Sequence, residues 1–594
     1  MAIVSRRVRR RLRPFIILIA LTLIIIYSTL PHDSAIRLAL VFNTSRFFNF
    51  LRGATKNRDA WLRTPSRYTV DLSADVGYLI KTGYGTRHRV PEQLAAFGAT
   101  GGYLGKEGES FLVVGDWTTV NQTDARVMGV TVHDAIKKVM DTKIQGKLEK
   151  YPRLVKYRSL QEKLEAGDEE EALKIGQNFG WELDALKFIM GMEMIYNELP
   201  GKKWYIILDD DTFLIRPSLE LLLGHLDPRK PQYIGNAVGD YKARFGHGGS
   251  AILISGEAMR RLFEHKGIVQ EAYAESMTET WGDRLVATTL QKLGIYIEES
   301  YNHHFNGEPP SITRIWGDRF CSPLVSFHGL RKPGEMRHVG QTLAAIDQPV
   351  LWRDVWELFG GSPLSALESR PTELTADHVG KPDEHTRSWG DVRSANACQK
   401  RCQQSGRRCL AWTYEMESER CHTSPWLLLG ADGATAKASG VNWPEPQVWS
   451  RGKETSHWNT IAGLANQEPN DMDNQPVWRG RLERGYRQGE ATAVKPEVPG
   501  IRELIAGERA GERARRDGEM REGNVVGWPD SPLLTAFARL LPAASVNRDV
   551  RVHWMMIVQG SCRCQEAIPE GSPPRAVESG RLASIRGLAG WSRG

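Results

Sequence analysis

Three consecutive carboxylates follow an apolar run near the middle of the chain. Trp204 to Leu208 are five large apolar or aromatic residues, and Asp209, Asp210 and Asp211 come directly after them. Such a run is typical of a strand buried on both faces, and ligands of open α/β sheets bind at the carboxyl ends of strands. Packed acids repel one another unless a cation neutralises them, and hard divalent cations commonly bridge carboxylates to substrate phosphates. The pattern indicates a metal–diphosphate site, as in an enzyme that uses a nucleotide-sugar; an acidic turn capping a helix is the alternative.

The chemistry of such a site sets what else the chain must provide. Transfer of a sugar from a nucleotide diphosphate needs charge neutralisation, a general base for the acceptor hydroxyl and positioning of both sugars. Asp209 and Asp211 are the candidates to hold a metal, with Asp210 turned away from them if the strand continues. His328 is the candidate third ligand, because imidazole suits Mn²⁺ acceptably; an ordinary polar histidine is the alternative. Asp283 is the candidate base, although Asp is also favoured as a helix N-cap.

The turns around these acids carry cations and glycines. The residues that could contact the nucleotide or diphosphate are Lys81, Thr82, Arg87 and Arg89. Loop cations are otherwise usually solvated. Gly248 and Gly249 lie in a glycine-rich turn, where glycine lets the backbone approach a ligand or adopt positive φ; a plain tight turn explains them nearly as well.

Predicted strands and helices alternate along this part of the chain. Apolar runs predict strands at 78–80, 111–114, 204–208, 233–235 and 251–254, and helical patterns occupy 181–196 and 281–290. The alternation favours an α/β fold class with a mostly parallel sheet. The acids at 209–211 then lie at one edge of that sheet.

Composition and the N-terminus indicate where the protein works. The chain has 594 residues and 78 basic against 71 acidic side chains, a net charge of +7 that is no nucleic-acid signature. An Arg-rich segment, 1–14, precedes an uncharged run, 15–30. We expect a cytosolic basic segment and a transmembrane signal anchor, with a cleaved signal peptide as the alternative. Residues 31–70 are predicted to be a stem, and sequons at Asn43 and Asn121 agree with luminal exposure.

Four of the seven cysteines cluster downstream of the predicted catalytic unit. The catalytic unit is placed at 71–340, a linker at 341–384 and the cysteine cluster at 385–445. In an oxidising lumen, clustered cysteines indicate disulfides, with zinc as the alternative. Residues 446–594 are rich in Glu, Arg and Gly, so we expect a low-complexity, disordered tail.

Seven short motifs, in order, resemble the fringe and core 1 β1,3-galactosyltransferase group, glycosyltransferase family 31, in its fungal form. They are Lys81-Thr82 with Arg87-His88-Arg89, Asp116 after its strand, the helix at 181–188, the acids at 209–211, the Gly-Gly loop and strand at 245–255, Trp281-Gly282-Asp283, and Ser326-Phe327-His328. The resemblance covers about residues 75–335. Two departures are Ser250-Ala251, where relatives often have Ala-Gly, and Trp281-Gly282-Asp283-Arg284, where they have a doubled acid.

The resemblance implies a fold, a reaction and a location. It implies a GT-A fold and an inverting, Mn²⁺-dependent transfer of galactose or N-acetylglucosamine from a UDP-sugar to a glycan or glycoprotein in β1,3 linkage. Asp209, Asp211 and His328 would bind metal, and Asp283 would be the base. The donor-binding residues would be Lys81, Thr82, Arg87, Asp116, Asp209, Asp210, Gly248 and Gly249. It further implies a single-pass type II protein of the Golgi membrane with a luminal catalytic domain. A homodimer is a separate expectation.

The cysteine cluster resembles a small α+β module, the PAN/apple module, which binds proteins or glycans. Cys398 and Cys402 are four residues apart and would share one helix face, while Cys409 begins a strand and Cys421 ends the hairpin. Four cysteines allow three pairings, and the nested pairs Cys398–Cys421 and Cys402–Cys409 suit this layout best. The alternative function is a catalytically inert, membrane-anchored binding protein that acts through this module.

Overall fold

The computed structural model describes residues 6–53, 59–120, 129–142, 151–360, 364, 367, 372–430 and 436–442. The sequon at Asn121 and the predicted tail at 446–594 lie outside these residues. The helices are α1 (Arg6–Thr29), α2 (Ala35–Gly53), α3 (Leu72–Asp75), α4 (Arg89–Ala99), α5 (Ala135–Asp141), α6 (Pro152–Glu165), α7 (Glu169–Asp184), α8 (Lys187–Glu198), α9 (Arg216–His225), α10 (Gly256–Glu264), α11 (Lys266–Ser276), α12 (Gly282–Lys292), α13 (Glu335–Leu343), α14 (Asp354–Phe359) and α15 (Ala395–Ser405). Short 3₁₀ helices occupy Ala60–Arg63, Tyr84–Thr86, Gly248–Ser250, Glu299–His304, Pro310–Ile312 and Gly406–Arg408.

Seventeen strands are described in these ranges. They are β1 (Val76–Lys81), β2 (Phe111–Gly115), β3 (Val132–Asp134), β4 (Trp204–Asp209), β5 (Phe213–Leu214), β6 (Tyr233–Gly235), β7 (Ala237–Val238), β8 (Phe245–Gly246), β9 (Ile252–Ser255), β10 (Ile315–Trp316), β11 (Ser326–Phe327), β12 (Glu373–Leu374), β13 (Arg387–Trp389), β14 (Ala411–Glu415), β15 (Arg420–Ser424), β16 (Trp426–Leu427) and β17 (Lys437–Val441). Six of them form the central sheet in the order β3-β2-β1-β4-β9-β6.

The central sheet is mostly parallel, as the alternating sequence pattern predicts. Strands β3, β2, β1 and β4 run parallel to one another, and β9 is antiparallel to both β4 and β6. The parallel register sets Lys81 beside Asp209. The carboxyl ends of β1 and β4 therefore meet at one edge of the sheet.

Both faces of β4 are buried, which explains its unbroken apolar sequence. Ile206 and Leu208 pack into one hydrophobic cluster, while Tyr205 and Ile207 pack into another on the opposite face. This alternation is the two-residue period of a strand, and burial of one such side chain contributes about 1.5–3 kcal/mol. The packing fixes where the strand ends and the carboxylates begin.

A second, antiparallel sheet carries the clustered cysteines. Its strand order is β12-β17-β14-β15-β13, and α15 packs against it. Cys398 pairs with Cys421 and Cys402 with Cys409, so the nested disulfides are confirmed. Strand β12 lies within 341–384, the segment predicted from sequence to be a linker.

The cysteine-bearing module contacts the α/β domain directly. Strand β10 pairs with β16, placing Ile315 opposite Leu427 and Trp316 opposite Trp426. The Arg314 guanidinium donates to Asp383 at 2.8 Å. A short sheet and a charged pair therefore join the two parts.

The N-terminal helices precede both of these parts. Helix α1 covers most of 15–30, in which the sequence predicts a membrane anchor. By length and apolarity, none of the helices in the described ranges qualifies as a membrane span. The Tyr296 hydroxyl donates to the His32 carbonyl at 2.9 Å, so the turn between α1 and α2 contacts the α/β domain.

Candidate functional site

The acidic run lies at the end of β4, and sheet pairing brings His328 to it. Asp209 is the last residue of the strand. Strand β5, which follows the acids, pairs antiparallel with β11, so that Phe213 is opposite Phe327. The next residue, His328, then lies beside Asp211, with 3.2 Å between Nε2 and Oδ1.

Three side chains of metal-ligand type converge here. The ligand atoms of Asp209, Asp211 and His328 all lie within 4.8 Å of one another. The His328 Nδ1 is 3.1 Å from the Gly307 carbonyl; because a carbonyl only accepts, Nδ1 carries a proton and Nε2 is the nitrogen that faces Asp211. Metal-binding histidines characteristically hold their second nitrogen in this way. Two carboxylates and one imidazole fit a divalent cation such as Mn²⁺.

Basic side chains lie directly beside Asp209 and Asp211. Burial opposes ionisation of Asp211, but His328 and then Arg331, at 2.7 Å, hold the pKa of that carboxyl well below its usual range. Lys81 is buried, and its ammonium lies 2.7 Å from Asp209 and 2.9 Å from Asp184. Burial opposes its charge, yet these two acids raise the pKa of Lys81. Lys81 therefore forms a direct ion pair with Asp209.

Asp210 contacts the turn after β1, and because β4 ends at Asp209 the strand alternation does not extend to it. Its Oδ2 accepts hydrogen bonds from the Thr82 and Thr86 hydroxyls at 2.8 and 2.6 Å. Arg89 is 3.3 Å from Oδ1. Burial, then repulsion from Asp211, raises the pKa of Asp210 to about 6. Asp210 thus ties the acidic run to the turn after β1.

Asp116 and Arg87 hold that turn in shape. The Asp116 carboxylate accepts from the Tyr84 backbone N–H at 2.8 Å and is fully buried. Burial raises its pKa, against the lowering effect of Lys187. The Arg87 guanidinium donates to the Tyr84 carbonyl at 2.9 Å and lies 4.0 Å from the centre of that ring. In this structure both side chains fix the turn that is predicted to receive the nucleotide.

The Gly-Gly loop connects the candidate base with the metal-type cluster. The Gly248 N–H donates to Asp283 Oδ2 at 2.8 Å, and the Arg284 N–H donates to Oδ1 at 2.8 Å. A Cβ on Gly249 would lie 2.2 Å from His328 Nε2, so only glycine fits there. The loop therefore touches both functional groups at once.

Asp283 is buried and easily protonated. Burial raises its pKa to about 6, against the lowering effect of the Gly248 and Arg284 N–H groups. The N-cap of α12 is Trp281, and Asp283 lies inside the first turn. Asp283 therefore does not occupy the cap position that was the alternative to catalysis.

Sequence reasoning missed several residues of this site. Arg331 and Gln93 contact the acids from other elements; Gln93 donates to the carbonyls of Asp209 and Thr212 at 2.8 and 2.7 Å. Trp181 is part of a motif but carries no predicted role of its own. Its ring is 55% exposed and stands edge-on to Trp281 at 5.5 Å. The sequence signal that could have indicated this aromatic pair is Trp281, two positions before Asp283.

Comparison with known proteins gives two findings. Residues 373–428 match the family described as PAN domain. Part of the chain is similar to the human chondroitin sulfate glucuronyltransferase, at 30% identity over 92 residues. That stretch is 15% of this chain and spans only 12% of the human protein. The chain thus holds a PAN domain and has weak, partial similarity to a glycosyltransferase; membership of the fringe-like group stays a prediction.

Proposed function

We propose that this chain is a glycosyltransferase that moves a sugar from a UDP donor to a glycan or glycoprotein acceptor. The observation that carries the proposal is the convergence of Asp209, Asp211 and His328 at the carboxyl end of β4, joined to Asp283 through the Gly-Gly loop. The partial similarity to a glycosyltransferase supports the same class. A GT-A fold of the fringe-like type is the finer form of the proposal.

The acidic cluster would serve the leaving diphosphate. Asp209, Asp211 and His328 would hold a divalent cation, Mn²⁺, which when bound supplies charge neutralisation to the diphosphate. Lys81 would keep Asp209 oriented, and Arg331 would add positive charge beside Asp211. These groups are fixed before the donor arrives, which is the condition for effective electrostatic stabilisation.

Asp283 would be the general base of an inverting displacement. Its carboxylate would take the proton of the acceptor hydroxyl as that oxygen bonds to the anomeric carbon. The bond from the anomeric carbon to the diphosphate oxygen breaks, and UDP leaves with the electron pair. The Gly248 and Arg284 N–H groups would hold the carboxylate in place during this step. Because the acceptor oxygen attacks the face opposite the leaving group, the configuration at the anomeric carbon inverts.

The aromatic pair beside the base would receive the acceptor. Trp181 is largely exposed and packs edge-on against Trp281. The apolar face of a sugar ring packs well on such an indole surface. We assign this pair to acceptor binding, with a β1,3 linkage and a galactose or N-acetylglucosamine donor as the specific expectation.

The proposal extends to location and assembly. The two disulfides fit an oxidising compartment, and the uncharged run 15–30 behind its Arg-rich flank is the sequence support for a type II Golgi membrane protein. A homodimer belongs to the same set of expectations. A PAN domain beside the transferase unit would dock or orient acceptors.

A donor screen tests the function. The purified chain is incubated with UDP-galactose, UDP-N-acetylglucosamine, UDP-glucose and UDP-glucuronic acid, with Mn²⁺ or with chelator. We expect Mn²⁺-dependent binding and slow hydrolysis of one donor, and loss of Mn²⁺-dependent UDP binding by at least about 100-fold in Asp211→Ala, because a ligand costs more than the 10–100-fold of an outer-shell partner. A folded chain that binds no UDP-sugar contradicts the proposal.

A second candidate function rests on the PAN domain match at 373–428. In that case the chain is a binding protein for a protein or glycan, and the acids at the end of β4 are inert. The discriminating variant is Asp209→Ala combined with Asp211→Ala. Retention of the cellular function in this variant would favour binding, and its loss together with UDP affinity favours transfer.

A further inference from the structure

Three more side chains of metal-ligand type meet away from the acidic run. Asp59 precedes the 3₁₀ helix Ala60–Arg63, and His303 and His304 end the 3₁₀ helix Glu299–His304. The Asp59 Oδ1 lies 2.8 Å from His303 Nε2 and 3.4 Å from His304 Nε2. We propose that these three residues form a second, structural site for a divalent transition-metal cation of the Zn²⁺ type.

The tautomer of His304 calls for a cation between the rings and the acid. His304 Nδ1 is 2.7 Å from the Pro323 carbonyl, and because a carbonyl only accepts, Nδ1 carries the proton. The Nε2 atom faces the Asp59 carboxylate, and this buried atom has no hydrogen-bond partner in the described structure. An unpartnered buried polar atom is costly, and a cation bound between Nε2 and the carboxylate would satisfy both groups.

The two oxygens of Asp59 have different neighbours. Oδ2 accepts from the Ser322 hydroxyl at 2.5 Å. Oδ1 faces the Nε2 atoms of both imidazoles, at 2.8 and 3.4 Å. One oxygen is thus fixed by Ser322, and the other is directed at the two histidines.

The spacing of the donor atoms fits a tetrahedral cation. Zn²⁺ binds His nitrogen at about 2.0–2.1 Å and carboxylate oxygen at about 2.0–2.2 Å, so neighbouring ligands of a tetrahedron are about 3.3 Å apart. The two distances from Asp59 Oδ1, 2.8 and 3.4 Å, lie on either side of this value. The three donor atoms lie within 4.8 Å of one another, so small shifts of these side chains would bring all three atoms to ligand distance from one cation.

The donor set favours a different cation from that of the acidic cluster. Two imidazoles and one carboxylate suit Zn²⁺ or Co²⁺, whereas oxygen-rich sets suit Mg²⁺, Ca²⁺ and Mn²⁺. The Nδ1–carbonyl bond of His304 is also the outer-shell contact by which metal-ligating histidines are oriented.

The position of the site gives it a structural role. The segment from Asp59 to Tyr68 lies across the α/β domain, and the Tyr68 N–H donates to the Gly224 carbonyl at 3.0 Å. Trp61 packs edge-on against His304 at 5.4 Å. A cation shared by Asp59 and the two histidines would tie this segment, which leads from the N-terminal helices, to the domain.

Metal analysis of the full chain tests the site. Asp211→Ala serves as the background, because it removes a ligand of the acidic cluster. The metal-stripped protein is titrated with Zn²⁺ against a chromogenic chelator, and with Co²⁺ by visible absorption. We expect one tight Zn²⁺ per chain and Co²⁺ bands in the visible range. Adding His304→Gln should weaken Zn²⁺ binding by more than the 10–100-fold that loss of an outer-shell partner costs.

A matched control is His225→Gln in the same background. His225 also packs edge-on against Trp61, at 4.8 Å, yet is no member of the cluster, so its variant should bind Zn²⁺ unchanged. Equal Zn²⁺ affinity in the His304 and His225 variants would overturn the proposal, and so would the absence of Co²⁺ bands in Asp211→Ala alone. The second readout needs no His304 variant and holds even if that variant does not fold. Failure of UDP binding leaves the Zn²⁺ result intact, so the two proposals are judged separately.

Discussion

Single carboxyl groups in this protein differ because their neighbours differ. Asp211 is surrounded by His328 and Arg331 and stays ionised to low pH, whereas Asp283 accepts two backbone N–H groups and its pKa rises to about 6 because burial prevails. One carboxyl is thus suited to hold a cation and the other to exchange a proton near neutrality. The division of roles comes from surroundings, since both residues are aspartates.

Asp283 gives a pH-dependent prediction. A base acts when deprotonated, and the pKa of about 6 means that kcat/KM should rise with pH up to about 6 and level off above it. Asp283→Asn should lower kcat by about 10²–10⁴-fold, because the amide oxygen can still accept one of the two N–H bonds but the amide takes up no proton. UDP binding in the presence of Mn²⁺ should be unchanged and serves as the control. Full transfer activity in the variant would remove the role of base.

Gly249 gives a steric prediction. In Gly249→Ala the new Cβ would lie 2.2 Å from His328 Nε2, so the ring must move away from Asp211. A displacement of about 1 Å can cost about 100-fold in activity, and Mn²⁺-dependent UDP affinity should fall with it. Gly267→Ala is the matched control, because its Cβ meets nothing within 4 Å and helical Ala gains about 0.5–1 kcal/mol. Equal UDP affinity in both variants would contradict this account.

At the scale of elements, the site is assembled by the ends of strands and the starts of helices. Strand β4 delivers the acids, β11 delivers His328 and the first turn of α12 delivers Asp283. The unbroken apolar sequence of β4 made its end predictable, because both faces are buried. Arg331 and Gln93 were not predictable, since their contacts depend on how distant elements pack rather than on any local pattern.

The cluster of Asp59, His303 and His304 was also not predictable from a local sequence pattern. Asp59 lies in the predicted stem, and His303 and His304 are more than two hundred residues further on. Neither spacing nor periodicity links them. The nested disulfides were predictable in contrast, because all four cysteines lie within one short helix and hairpin.

The aromatic pair at the start of α12 gives a prediction for acceptor binding. Trp181→Ala removes the exposed ring, and since such contacts contribute about 0.5–1.5 kcal/mol, the acceptor KM should rise about 3–10-fold. The donor KM should stay the same, because the ring of Trp181 packs on Trp281, which lies outside the acidic run. Trp181→Phe should restore part of the acceptor affinity. Steady-state kinetics with a glycan acceptor measure both constants; a change in donor KM alone would contradict the assignment.

At the scale of the whole molecule, the PAN domain is joined to the loop that supports His328. The His328 backbone N–H donates to the Glu308 carbonyl at 3.3 Å, and the Arg314 N–H donates to the Glu308 carboxylate at 3.2 Å. The Arg314 side chain in turn donates to Asp383 and lies 4.6 Å from the centre of the Trp426 ring. A continuous set of contacts thus leads from the module to the metal-type cluster.

This connection predicts that a substitution in the module weakens donor binding. Asp383→Ala removes the closer of the two ion pairs of Arg314, which otherwise keeps Glu308 at 3.9 Å, and loss of one largely buried charged hydrogen bond costs about 1.5–3 kcal/mol. Only part of this cost reaches His328, because Arg314 keeps its contact with Trp426, so Mn²⁺-dependent UDP affinity should fall by about 2–10-fold. The matched control is Glu384→Ala, whose carboxylate pairs only with the exposed His385 in the described structure. Isothermal titration of UDP with Mn²⁺ measures the difference. Identical affinities in the two variants would mean that the PAN domain is attached to the α/β domain without supporting its site, and that any effect of the module on transfer arises from acceptor binding.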